Sequence, residues 1–529
     1  MGIIPDRFSF LKVRRWKAIK VVANLGMFYT CHVAVRLLRK PGRATTRITD
    51  WHDVGQATID SLPSIALLGI FGFYLSTYNS SWPTLVHVCR RWRNLVFKSP
   101  HRLNVELSCT FGRPARAALG IWPPLPISIL GNKYKRNGGD VDNIVAALEH
   151  NDRVCKISLW DVSSSELEKY FAVMGEPFLS LTSLELQWDD DEIAKVARGP
   201  DSFLGGSAPH LQSLTLSGIP IPFLGLQKLL LSANGLVHLR LRNIPHSVYF
   251  SPDDITTVIS ALTKLQNIEL TFQSPRSRPI RENRRPPPTM RTLLPALTYM
   301  KFKGISDYLE DIVAQIDAPL LDTLSINFFH QVAFDTRQLA QFIGRAPKLE
   351  GRNEARVVFS EHTVRATFLL ASQVHTGEED IDLRVPCKHP DLQLSSVTQL
   401  CTQSFPQPFV PSVEHLYIVE SKQFPKPRWE NNIPKAQWLR LLRPFTAVKD
   451  LYLSEKMARL IAPALRDLVG ERATEVLPAL QCLFLEGLHT SGPVMGAIAP
   501  FITARQESTY PVVASYWDRE EDDWWDEED

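Results

Sequence analysis

Residues 235–244 read GLVHLRLRNI, and within them Leu236, Leu239 and Leu241 spell L-x-x-L-x-L. The last two leucines alternate with polar residues, as a short strand with one buried face requires, and the first anchors the turn leading into it. The same pattern stands upstream at Val154/Ile157/Leu159, Leu181/Leu184/Leu186 and Leu211/Leu214/Leu216. Downstream it continues at Leu265/Ile268/Leu270, Leu297/Met300/Phe302 and Leu321/Leu324/Ile326. After a break it returns at Val413/Leu416/Ile418, Val448/Leu451/Leu453 and Leu480/Leu483/Leu485. Successive starts outside the break lie 24 to 35 residues apart, at or above the roughly 20 to 29 of leucine-rich repeats, which leaves room for a helix in most units.

Two of the intervening stretches, Ser164 to Met174 and Pro252 to Leu262, read as helices, the second with Asp253 and Asp254 where the helix dipole favours acids. One strand and one helix cannot close a core, but stacked units bury a continuous one. Where regular repeats place a ladder-forming Asn, this chain has Val162, Ile219, Ile244, Ile305 and Leu488. An irregular solenoid held by packing is therefore expected. From 349 to 407 the pattern fails, which leaves degenerate repeats or an insertion.

Bulk composition agrees with such an array. A chain of 529 residues exceeds what one hydrophobic core supports, and 44% apolar with 22% charged residues is ordinary for a globular fold. A net charge of +3 gives no overall field for nucleic acid or membrane, so neither is expected as a partner. The seven cysteines are scattered without a C-x-x-C pair, a pattern of reduced intracellular thiols. The first 50 residues hold eleven Lys or Arg around an apolar run from Ala18 to Leu38, which Lys20, Asn24, His32 and Arg36 interrupt. That makes a poor membrane span. Residues 1–57 are expected to be a basic extension, partly helical or disordered.

Ahead of the repeats, LPSIALLGIF begins at Leu62 and Pro63, with Ile65, Leu68, Phe71 and Leu75 on one predicted helical face. Pro63 suits a helix start, because its missing N–H has no partner there. A second helix is predicted from Ser81 to Pro100, with Leu85, Val88, Cys89, Trp92 and Val96 at helical spacing.

The motifs LP...IF and VCRRW, with the run WPTLVHVCRRWRNLVFKSPHRLNVEL and the later WPPLPI, resemble F-box proteins abundant in mushroom-forming fungi. The resemblance covers about residues 58 to 130. It implies a module over 58–100 that docks the small adaptor subunit of cullin-based SCF ubiquitin ligases, while the repeats hold a substrate. Its adaptor-binding residues would be Leu62, Pro63, Leu67, Ile70 and Phe71 on the first helix, and Leu85, Val88, Cys89 and Trp92 on the second. Ser64 and Gly69 depart from that family, which often carries acids at their positions.

The other class of reading is a repeat scaffold without ubiquitin chemistry. An enzyme is not expected: the chain lacks G-x-x-x-x-G-K-[ST], H-E-x-x-H, G-x-S-x-G and G-x-G-x-x-G. Nor is a cofactor or metal. The segment 274–288 carries five arginines and five prolines and reads as an exposed insertion, and 506–529 reads as an acidic disordered tail with Trp524 and Trp525 near its end.

The expected architecture is thus an α/β chain: a helical module at 58–100, a linker or cap at 101–150, and an irregular leucine-rich-repeat solenoid at 151–505. Strand alternation puts Arg240, Arg242, Lys301, Lys303, Tyr417 and Tyr452 on the outward face of the repeats, as candidate contacts to a protein substrate. The expected location is the cytoplasm, the nucleus or both.

Overall fold

A computed structural model describes residues 62–77, 82–110, 115–131, 140–188, 199–279, 290–329, 334–370, 381–387, 389–405, 409–422, 433–468, 470–486, 492–507 and 511–518. The expected N-terminal extension, Ser81, Leu488 and most of the Pro/Arg-rich and acidic segments lie outside them. The chain forms two compact units, which meet in sequence at Ser158 and Leu159.

The first unit opens with α1 (Ser64–Thr77), α2 (Trp82–Val86) and α3 (Arg90–Lys98), followed by β1 (Leu107–Thr110), α4 (Ala115–Ile121), β2 (Ile127–Gly131) and α5 (Asp140–Leu148). The single helix predicted from Ser81 is thus two. Cys89 is extended, with φ −153° and ψ 170°, and Arg93 Nε donates to the Val86 carbonyl at 3.0 Å, closing the first helix. Burial explains the break: Trp82, Leu85 and Val86 point inward on one side of it, Trp92 and Val96 on the other. The inner face of α1 also differs from the predicted one. Of the predicted face, Leu68 and Phe71 are buried, Leu75 is half-buried and Ile65 is exposed, while Leu67, Ile70 and Tyr74 are buried in addition. The 101–150 stretch, expected as a linker or cap, carries β1 and β2 in parallel register, Leu107 opposite Ile127. Its apolar positions, Leu125, Ile127 and Ile129, lack the two-residue gap of the triads, so the repeat pattern does not reveal it.

Strand β3 (Val154–Val162) runs across the division between units. The second unit continues with α6 (Ser164–Val173), β4 (Ser183–Trp188), β5 (Ser213–Ser217), α7 (Phe223–Ser232), β6 (His238–Ile244), α8 (Pro252–Ile259), β7 (Asn267–Phe272), β8 (Thr292–Leu293), β9 (Tyr299–Gly304), α9 (Ser306–Val313), β10 (Ile316–Asp317), β11 (Thr323–Phe328) and α10 (Arg337–Gly344). Then come β12 (Glu354–Phe359), β13 (Thr363–Leu369), β14 (Ile381–Pro386), α11 (Pro390–Gln403), β15 (His415–Glu420), α12 (Lys435–Leu442), β16 (Asp450–Leu453), α13 (Glu455–Arg466), β17 (Cys482–Glu486), α14 (Pro493–Gln506) and β18 (Val513–Trp517).

From β4 onward one sheet runs in the order β4-β5-β6-β7-β9-β11-β14-β13-β12-β15-β16-β17-β18, and β8 with β10 makes a separate two-stranded piece. The strands pair in parallel except at β13, which is antiparallel to both β12 and β14. This is an α/β, leucine-rich-repeat-like stack. No residue of the ten triads is more than 4% exposed.

Two capping boxes start helices where the sequence placed them, Ser163 with Glu166 and Ser251 with Asp254. In place of an Asn ladder, a backbone ladder joins the units. The Gln212 carbonyl accepts from the N–H groups of Val237 and His238, at 2.8 and 3.0 Å. Val237, Gln266 and Thr298 repeat this bidentate acceptance into each following strand, as do Asn353, Glu414 and Lys449 beyond the break. Ile219 and Ile244, at ladder positions, are buried.

The failing stretch, 349–407, is an insertion: β12, β13 and β14 form an antiparallel meander that enters the sheet in place. The expected tail begins inside structure, since Gln506 ends α14 and Val513–Trp517 adds the last parallel strand beside β17. Residues 519–529 lie outside the described set.

Leu239→Ala should lower unfolding free energy by about 2–5 kcal/mol, the range for a fully buried leucine whose site cannot collapse, as read from urea midpoints at unchanged slope.

Candidate functional site

Two surfaces collect the residues singled out by sequence. In the first unit the Phe71 ring meets that of Trp92, centroids 4.7 Å apart, so LP...IF and CRRW form one small core. Trp82 Nε1 donates to the Glu106 carbonyl at 2.8 Å, and its ring stands edge-on to Trp122 at 5.1 Å, which joins the two W-P motifs. Arg91 donates to the Leu62 carbonyl and tethers the start of α1. Of the expected adaptor contacts, Leu67, Ile70, Phe71, Leu85 and Trp92 are buried inside this core. Leu62, Val88 and Cys89 are half-buried, and Pro63 is exposed. The outer surface of α1 instead presents Ile65 and Phe73, at 67% and 57% exposure.

The second surface is the outward face of the sheet in the second unit. Pairing register places Arg240, Glu269, Lys301, Ser325 and Asp382 side by side on successive strands. The same row continues through Thr367, Arg356, Tyr417, Tyr452 and Phe484. A neighbouring row runs Thr271, Lys303, Asn327, Arg384, Arg365. The sequence-predicted candidates therefore share one face of one sheet. Arg240, Lys301, Tyr417 and Tyr452 even share one row, although Tyr417 and Tyr452 stand seven and eight strands from Arg240.

Three sunken carboxylates order the cations. Glu269, its side chain 4% exposed, accepts from Arg242 at 2.8 Å and meets Lys301 at 3.5 Å. Asp382 accepts from Arg365 and Arg384, both at 2.8 Å. That bridge answers the repulsion of two arginines directly opposite each other in register. Glu354 accepts from Arg356 at 2.6 Å, and the Arg356 guanidinium lies 4.9 Å above the Tyr417 ring.

Arg240 and Lys303 form no ion pair among the described residues. Among the described residues, the face from β6 through β12 carries seven Lys or Arg against three acids, a surplus of four. Burial, with Glu269 adding to it, raises the Tyr299 phenol above its usual range. Asn327 Oδ1 and His238 Nδ1 are buried without a hydrogen-bond partner among the described residues.

Beyond the cations the face turns aromatic. Tyr417 stacks on Tyr452 at 4.1 Å, and Tyr452 on Phe484 at 4.5 Å, with planes within 9° and 6°. Trp517 sets its ring edge-on to Tyr417 and Tyr452 at 5.8 and 5.4 Å. Burial first, and then Glu354, pushes the Tyr417 phenol well above its ordinary range, which keeps its proton in place.

Sequence reasoning missed Phe484, although it fills the triad position of Tyr452 one unit on. It also missed Arg356, Arg365 and Arg384, which sit on the insertion where no triad gives a register. Among the described residues no cluster of His, Cys, Asp or Glu could hold a metal ion, and no helix is long and apolar enough to cross a membrane.

No protein-family model matches the chain, and no curated protein matches it. Among solved structures, one similar chain is the leucine-rich repeat-containing protein LegL7 from Legionella pneumophila, at 12% identity and a TM-score of 0.23, covering 75% of this chain and 97% of that one. The fold assignment rests on the strand register and the buried triads.

Asp382→Ala should cost about 3 kcal/mol, because it leaves Arg365 and Arg384 opposed without their shared acceptor. Adding Arg365→Ala should recover part of the loss in a double-mutant cycle by thermal unfolding.

Proposed function

We propose that this chain is a non-enzymatic, substrate-recruiting F-box subunit of a cullin-based ubiquitin ligase. The helical module would dock the adaptor subunit, and through it a cullin, while the repeat face would hold a protein substrate. The observation that carries this reading is the Phe71–Trp92 contact, which makes the two F-box-like motifs a single helical core. Burial of Leu67, Ile70, Phe71, Leu85 and Trp92 assigns them to holding that core. The contact surface then passes to Pro63, Ile65 and Phe73, with Leu62, Val88 and Cys89 at its margin. Such exposed apolar groups on one short helix suit a partner that buries them. For the substrate, the reading assigns the face around Arg240, Arg242, Lys301, Lys303, Tyr417 and Tyr452. It places the chain in the cytoplasm or nucleus, where such ligases act.

The alternative, a protein-interaction scaffold without ubiquitin chemistry, is favoured by the same repeat face and needs no adaptor. A purified adaptor subunit titrated into the full chain distinguishes the two. The ligase reading expects binding that Ile65→Asp or Phe73→Asp weakens at least tenfold at unchanged melting temperature, since a charge in an apolar contact is strongly disfavoured. Phe71→Asp should instead lower the melting temperature. A wild-type chain that fails to bind the adaptor sinks the ligase reading and leaves the scaffold.

A further inference from the structure

Trp517 is the last residue of β18, and its indole already lies against Tyr417 and Tyr452 on the outward sheet face. The chain continues from it as DREEDDWWDEED, nine acids with Arg519, Trp524 and Trp525. We propose that residues 518–529 dock across this same face, over the aromatic stack and onto the cations beyond it. The inference rests on the reading that the sheet face is a binding surface, and it gives that surface an occupant within the chain.

Charge and reach carry the argument. The face between β6 and β12 has, among the described residues, a surplus of four positive charges, and the segment carries eight more acids than bases. Neighbouring strands are spaced by about 4.8 Å, so Arg356 on β12, four strands from β18, lies about 19 Å away. Arg384 on β14, six strands away, lies about 29 Å off, and Lys303 on β9, eight strands away, about 38 Å. Twelve extended residues span about 41 Å at roughly 3.4 Å each.

At that pitch Asp522 and Asp523 fall over Arg356, Trp524 and Trp525 over Arg365 and Arg384, and Glu528 and Asp529 over Lys301 and Lys303. Each type then meets a suitable neighbour: carboxylates meet cations, and indoles meet guanidinium planes. The neighbouring row also passes Asn327, paired in register with Lys303, whose side-chain oxygen is buried without a partner among the described residues. An added substrate with an acidic segment would have to displace this one, so the segment would also set the threshold for binding.

Two measurements on the full-length chain test the proposal. Carbodiimide treatment, read by mass spectrometry on a mixture of light and nitrogen-15-labelled chains, should link Lys301 or Lys303 to Glu527, Glu528 or Asp529 within one chain. The yield should collapse in 1 M salt, where the screening length falls to about 3 Å. Links formed only between chains would assign the face to a second copy, and an absence of links to these lysines would remove the segment from it; either overturns the proposal.

The second measurement titrates a fluorescent synthetic copy of residues 518–529. It should bind at least tenfold more tightly to a full-length variant whose segment acids are replaced by Asn and Gln than to the wild type. Equal binding to both overturns occupancy within the chain and leaves the face a binding surface. Binding to neither shows that the face does not take acidic peptide, and the substrate surface of the proposed function falls with it, whereas adaptor binding is unaffected by any of these results.

Discussion

The structure depends on a carbonyl shared between adjacent units. At the start of eight strands, β5, β6, β7, β9, β11, β15, β16 and β17, one backbone oxygen accepts two consecutive N–H groups from the next unit, as Gln212 does from Val237 and His238. This fixes register at the point where the first triad residue turns inward, so the two that follow fall to the buried face without a side-chain ladder. Buried backbone groups must be paired somewhere. At these strand starts the main chain pairs them, and side chains such as Thr271, which accepts from the Asn243 N–H at 2.8 Å, do so elsewhere, so the Asn of regular repeats becomes dispensable. Ile219 and Ile244 fill its place with apolar packing, which frees the turns to vary in length.

The same register builds the outward face. Stacking in parallel sets like positions of successive units side by side, so Tyr417, Tyr452 and Phe484 have ring planes within 9° of parallel, as neighbouring strands dictate. For cations this arrangement is unfavourable, and Glu269, Asp382 and Glu354 offset it. Each lies almost out of solvent and holds one or two basic side chains in place, which lowers the conformational entropy those chains would lose on meeting a ligand.

What the sequence revealed follows from this physics. The triads gave the strands and the buried face correctly because a strand's alternation is a local property. Arg240, Lys301, Tyr417 and Tyr452 were legible as outward residues for the same reason. Arg365 and Arg384 were not, because their place beside Lys303 depends on antiparallel pairing that no spacing announces. In the helical module the motifs were legible but the inward face of α1 was not. Its helix is apolar nearly all round, so spacing alone could not show that Leu67, Ile70 and Tyr74 join Leu68 and Phe71 inside, against Trp92, while Ile65 stays exposed.

The meander of β12, β13 and β14 has a consequence for how such a face can change. Strands β11 and β15 point the same way, and β12 points with them; only β13 is reversed relative to its neighbours. Removing or adding strands in pairs therefore preserves every direction in the rest of the sheet. Each such pair alters the separation between Lys303 and Tyr417 by about 10 Å, two strand widths. The insertion acts as a ruler between a cationic stretch and an aromatic one. Its strand count, more than any side chain, selects the length of ligand that can touch both.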